Sequence, residues 1–99
     1  MKKLLLMLLI SCSLLASQVP ENVDQSIRAW VKKTYNVNDY GSSMQKMMYE
    51  EEIKNYLWLM KYAEDKETLK RVMSMYPVSE YGYSMVKMMY EEEVKNNNW

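Results

Sequence analysis

The chain contains no histidine and no phenylalanine, and only one cysteine, two prolines and two glycines among its 99 residues. Without histidine, the usual base of a serine or cysteine hydrolase is missing. A lone cysteine cannot form an internal disulfide bond. Few prolines and glycines, with little strand-like alternation, favour helices. The sequence therefore predicts an all-α protein that is not an enzyme and needs no cofactor.

An excess of charge of either sign is also missing, because 13 Lys and Arg balance 13 Asp and Glu. Two of the basic residues, Lys2 and Lys3, lie at the extreme N-terminus. The remainder of the chain is therefore slightly acidic. A nucleic-acid-binding protein would carry a basic stripe or patch, so we expect no nucleic-acid partner.

Residues 1–17 have the pattern of a cleavable signal peptide. A positively charged start is followed by an apolar run over residues 4–10 and by the small residues Ala16 and Ser17. The run is shorter than the ~20 apolar residues that span a bilayer. We predict an exported protein that is periplasmic or secreted.

Cys12 leaves a second processing route open. Residues 9–12 read Leu-Ile-Ser-Cys and resemble the lipobox of bacterial lipoproteins, which implies cleavage before Cys12 and acylation of its thiol. Apolar residues resume at Leu14 and Leu15, where a lipoprotein normally begins a polar tether. Cleavage near Ala16 is the first expectation. The alternative is a lipoprotein that is attached to the membrane only through Cys12.

The rest of the chain contains an internal duplication with a spacing of 41 residues. Residues 40–58 read YGSSMQKMMYEEEIKNYLW, and residues 81–99 read YGYSMVKMMYEEEVKNNNW. When the alignment starts at Val37 and Val78, 15 of 22 positions are identical. An identity this high indicates that one structural unit occurs twice.

Apolar spacing and capping residues predict a helical hairpin in each unit. We expect one helical domain over residues 20–99, built of two repeats of ~41 residues at 22–62 and 64–99. The expected helices cover residues 22–35, 39–62, 68–76 and 80–99, with Asn38 and Ser79 as N-caps and Trp99 docked at the end of the last helix.

The second predicted helix is apolar on two sides and is therefore expected to be the central one. Its methionines recur at i, i+3 and i+4, and the fourth helix repeats them. Core packing is the preferred interpretation, because methionine fills irregular gaps between helices. A soft-metal site is the alternative, since thioethers suit Cu(I) and Ag(I). The residues concerned are Met44, Met47, Met48, Met85, Met88 and Met89.

Two carboxylates follow these methionines by one turn on the same apolar stripe. A carboxylate there must reach the edge of the stripe or find a donor, so Glu51 and Glu92 are candidate binding residues. Gly41 and Gly82 lie in a first helical turn, where close approach of a neighbouring helix would explain a glycine. The candidate binding residues also include the aromatic side chains Tyr40, Tyr81, Trp58 and Trp99.

The sequence thus favours a small exported helical-repeat protein that acts as a binding module in the bacterial cell envelope. Tyrosine, tryptophan and methionine are enriched at protein interfaces. The expected partner is another envelope protein or a second copy of the chain. The alternative function is a periplasmic Cu(I) or Ag(I) binding protein that uses the two methionine faces.

Overall fold

A computed structural model describes residues 18–97, which form four α-helices and no β-strand. The all-α class and the number of helices are therefore confirmed for these residues. The predicted signal peptide, the lipidation candidate Cys12 and the candidate Trp99 lie outside them. The helices are α1 (Glu21–Thr34), α2 (Val37–Tyr62), α3 (Lys66–Met75) and α4 (Val78–Lys95).

Helices α2 and α4 each contain one kink at a glycine near the N-terminus. Gly41 has φ 83° and ψ 162°, and Gly82 has φ 79° and ψ 170°. Only glycine adopts this region readily. Each helix therefore consists of a single first turn, the glycine, and a long helix that starts again directly after it.

The capping prediction is wrong in both repeats. The side chain of Asn36, not that of Asn38, caps α2 by accepting a hydrogen bond from the Asn38 N–H at 2.8 Å. Pro77 precedes α4, and no side-chain cap is formed there by Ser79 or another described residue. Pro77 is the N-cap residue, and its carbonyl oxygen accepts hydrogen bonds from the N–H groups of Glu80 and Tyr81.

The helices pack in the spatial order α1, α2, α4, α3. Helices α2 and α4 pack against each other, α1 covers α2, and α3 covers α4. Helix α1 also contacts α4. The expectation that α2 is the central helix is therefore incomplete, since α4 contacts all three other helices. The last helix ends at Lys95, a few residues earlier than expected.

All four helices contribute to the core. Ile27 of α1, Leu59 of α2, Val72 of α3 and Val86 of α4 are each at most 2% exposed. Burying such a side chain contributes about 1.5–3 kcal/mol. The core therefore depends on aliphatic residues from both repeats, and it extends across the junction between them.

The methionine faces lie at the edge of the core and not at its centre. Met47 is 55% exposed and Met88 is 52% exposed, while the other four methionines of the two faces are half-buried. The buried side of α2 contains Glu52, Asn55 and Leu59. At 3.6 residues per turn, that side is rotated from the centre of the methionine face by about 60°. The core interpretation is therefore wrong for Met47 and Met88, whereas Met48 and Met89 are half-buried and pack against the core.

Candidate functional site

Glu52 lies at the junction of the two repeats and is 1% exposed. Its carboxylate accepts hydrogen bonds from the backbone N–H groups of Tyr83 and Ser84, the latter at 3.0 Å, and from the Ser84 hydroxyl. Asn55, one turn further along α2, donates to the same hydroxyl at 2.9 Å. Helix α2 thus supplies a carboxylate, from Glu52, and a side-chain amide, from Asn55, to the N-terminal part of α4.

The kink at Gly82 makes this contact possible. Helix α4 restarts directly after the glycine, and its first N–H groups have no partner within the helix. A carboxylate at this position satisfies the donors and interacts favourably with the helix dipole. Glu52 therefore acts as the N-terminal cap of a helix in the other repeat.

Trp30 closes the other side of the junction. Its indole N–H donates to the Glu80 carbonyl oxygen at 3.1 Å. A Cβ placed on Gly82 would lie 2.8 Å from the Trp30 ring and 3.0 Å from the Glu52 carboxylate. The expected close approach of a neighbouring helix is present at Gly82. It is absent at Gly41, where among the described residues nothing lies within 4 Å of such a Cβ.

The predicted carboxylates Glu51 and Glu92 are both exposed, so they do not need an internal donor. They line a shallow groove of 320 Å³ between α2 and α4, together with Lys87 and Met88. Within residues 18–97, no three histidine, cysteine or acidic side chains are placed to hold a metal ion. The methionine-based metal site stays a prediction.

Exposed aromatic and methionine side chains occur at equivalent positions of the two repeats. Tyr40 is 52% exposed and Tyr81 is 43% exposed. The exposed fractions of Met47 and Met88 are 55% and 52%. Each tyrosine packs edge-on against the tyrosine five residues earlier, with ring centroids 5.4 and 5.5 Å apart. We name Tyr40, Met47, Tyr81 and Met88 the Tyr-Met surface.

Trp58 is half-buried and packs between repeats. Its ring centroid is 6.3 Å from that of Tyr90, and the Lys87 ammonium lies 4.8 Å from the centroid of the indole. A lysine over an aromatic face adds a modest attraction at an exposed site. This candidate residue therefore contributes chiefly to the contact between α2 and α4.

A charged cluster joins α1 to α2. The Tyr49 hydroxyl donates to Asp24, and Arg28 pairs with the same carboxylate at 2.8 Å. Burial raises the pKa of Asp24, but the hydrogen bond from Tyr49 and the charge of Arg28 outweigh it and hold this pKa below its usual value. Burial and the bond to Asp24 raise the pKa of Tyr49.

Replacing Tyr49 with phenylalanine should raise the pKa of Asp24 towards its ordinary value of about 3.9. Because the folded-state pKa is depressed, ionised Asp24 stabilises the fold above about pH 4, and this stabilisation is lost as the pH falls through the folded-state pKa. The variant should therefore lose less stability on acidification than the unmodified protein. Carboxyl NMR titration and unfolding at several pH values measure both effects.

The second repeat supplies the control for this prediction. The pKa of Asp65 is lowered by hydrogen bonds from the Thr68 backbone and side chain. The Tyr90 hydroxyl instead accepts from the Asp65 N–H at 3.1 Å. Tyr90→Phe should thus leave the pKa of Asp65 in place, and an unchanged pKa of Asp24 in Tyr49→Phe would contradict the assignment.

Glu52, Asn55 and Ser84 are not among the candidate residues predicted from the sequence. A signal was present, because each is identical in the two repeats. Their pairing across the junction depends on the backbone conformation of Gly82, however, and helical periodicity carries no information on that.

No protein-family model, no curated protein and no solved structure matches this chain. Within residues 18–97, every helix is too short or too polar to cross a membrane.

Proposed function

We propose that this protein is an exported binding module of the bacterial cell envelope and that a partner protein binds its Tyr-Met surface. Export is supported by the signal-peptide pattern of residues 1–17, and attachment to the membrane through Cys12 is the alternative form. Tyrosine and methionine offer large, adaptable contact areas. The proposal does not require a catalytic group.

The recurrence of exposed tyrosine and methionine at equivalent positions carries this proposal. Single exposed apolar residues are common on any protein surface and need no explanation. Here Tyr40 and Tyr81, and likewise Met47 and Met88, are exposed in both repeats. Stacked repeats place equivalent positions along a shared surface, so a partner can contact both units with similar interactions.

A photo-crosslinking amino acid at position 47 or 88 tests this surface in cells. We expect the same protein to be captured from both positions, since they are equivalent. Lys54 and Lys95 are the matched controls, because they are exposed and also equivalent to each other. Capture should be absent or much weaker from these two positions.

The captured partner then allows a quantitative measurement. Replacing both Met47 and Met88 with serine should weaken binding by at least about tenfold, because methionine is enriched at interfaces and the change removes apolar contact area from both repeats. Replacing Lys54 and Lys95 with serine should have little effect. Equal capture from all four positions, or no capture from any, would refute the proposal.

A further inference from the structure

The junction between the repeats is asymmetric. Helix α2 contributes Glu52 and Asn55, whereas α4 contributes Gly82, the backbone of Tyr83 and the backbone and hydroxyl of Ser84. In such a contact the two surfaces are different, and every repeat carries both of them. A further repeat can therefore add to either end of the stack. The chain therefore has two unlike ends.

The first end, which we name the acid end, carries Glu93 and Asn96, the equivalents of Glu52 and Asn55. Glu93 pairs with Arg71 at 3.3 Å and is part-exposed. Asn96 is exposed and donates to the Glu92 carbonyl oxygen at 2.9 Å. The carboxylate and the side-chain amide that α2 uses at the junction thus occur a second time, in Glu93 and Asn96 at the surface.

The second end, which we name the amide end, carries Gly41 and Ser43, the equivalents of Gly82 and Ser84. The φ and ψ values of the two glycines differ by less than ~10°, within the scatter of one conformation. In the described part of the chain, nothing lies within 4 Å of a Cβ built on Gly41. The backbone geometry that receives a carboxylate at the junction is therefore repeated at an open surface.

The charges of the two ends are complementary. A groove of 360 Å³ beside the amide end is lined by Ser42, by Lys32 and Lys46, by Glu50, and by Arg28, which is paired with Asp24. The acid end carries three consecutive glutamates, residues 91–93, of which Glu91 pairs with Lys87 and Glu93 with Arg71. Complementary charge favours encounter of the ends and opposes contact between like ends.

The ends also differ from the junction in polarity. The pair Tyr56 and Tyr83, with ring centroids 5.2 Å apart, is replaced by Asn97 at the acid end and Ser42 at the amide end. Both sides become polar together, so the change leaves no unmatched aromatic ring. A contact between ends buries less apolar area than the junction and should be reversible.

We propose that the acid end of one copy binds the amide end of another, with Glu93 accepting hydrogen bonds from the N–H groups of Ser42 and Ser43. Asn96 pairs with the Ser43 hydroxyl, as Asn55 does with Ser84. The contact forms open, head-to-tail oligomers that continue the repeat stack. It uses the glycine, serine, acid and amide positions of the junction and none of the four side chains of the Tyr-Met surface.

Sedimentation of the purified protein over a range of concentrations tests the association. The expected result is a series of species that grows with concentration and shrinks with added salt, because the ends are oppositely charged. Glu93→Lys blocks the acid end, and Ser43→Glu places a competing carboxylate at the amide end. Each variant alone should stay monomeric.

An equimolar mixture of the two blocked variants is the decisive sample. Each variant retains the one end that the other has lost, so the mixture should form dimers and nothing larger. Glu92→Lys is the matched control, since it changes an adjacent exposed charge and should associate like the unmodified protein. Circular dichroism of each variant confirms that it is folded.

The other outcomes overturn the proposal. They are a monomeric unmodified protein at all concentrations, a mixture of folded blocked variants that stays monomeric, and association that survives either substitution. Because the Tyr-Met surface is intact in every variant, partner capture from position 47 or 88 in the blocked variants reports on the proposed function separately.

Discussion

We expect Glu52→Ala to lower the free energy of unfolding by about 2–6 kcal/mol, because it removes the acceptor of two N–H groups at the junction, at about 1–3 kcal/mol each. These are the backbone N–H groups of Tyr83 and Ser84. It also removes side-chain volume from a position that is 1% exposed. Because small domains are stable by only about 5–15 kcal/mol, this one change removes a large part of the total. Equilibrium denaturation measures it.

Glu93→Ala is the matched control, since position 93 is the equivalent of position 52 in the second repeat. Glu93 is part-exposed and makes one surface ion pair with Arg71. Such a pair contributes about 0–1 kcal/mol, so we expect a loss below about 1 kcal/mol at concentrations where the chain is monomeric. Similar losses in both variants would show that the Glu52 contact does not stabilise the junction.

Most of the helical architecture could be predicted from the sequence. The duplication, the scarcity of glycine and proline, and Pro77 after the third helix fixed the number of helices and most of their boundaries to within a few residues. These features are local, since they depend on backbone propensity and on the spacing of apolar side chains. The structure confirms that part for residues 18–97.

The buried side of α2 could not be predicted in the same way. This helix carries apolar residues almost all round, so periodicity alone does not select one side. The methionine stripe led to Glu51, whereas the acid that is buried is its neighbour Glu52. Two polar residues, Glu52 and Asn55, are buried because donors and acceptors of the other repeat satisfy them. That pairing is a long-range property.

The duplication itself also limits what sequence can show. Equivalent residues have the same local conformation but different surroundings, as Gly41 and Gly82 illustrate. The same holds for Glu52, which is buried, and Glu93, which is not. Sequence identity between repeats therefore predicts backbone conformation better than it predicts burial, because burial depends on which unit stands next in the stack.

Gly82→Ala should be strongly destabilising for two separate reasons. At φ 79° and ψ 170°, a residue with a Cβ is strained by about 1–3 kcal/mol. The added Cβ would also lie 2.8 Å from the Trp30 ring, and such overpacking typically costs a further 1–3 kcal/mol. The total expected loss in the free energy of unfolding is therefore about 2–6 kcal/mol.

Gly41→Ala separates the two contributions, because Gly41 has nearly the same backbone angles but, among the described residues, nothing within 4 Å of the new Cβ. Its free energy of unfolding should fall only by the backbone strain of about 1–3 kcal/mol. The difference between the two losses measures the close approach of Trp30 and Glu52 to α4. A Trp30→Leu background, which shortens the side chain at the contact, should reduce the loss caused by Gly82→Ala and leave that caused by Gly41→Ala unchanged. Equal losses in the free energy of unfolding for both glycine variants in the original background would mean that the junction accommodates the added Cβ at no energetic cost. Backbone conformation alone would then explain the two glycines.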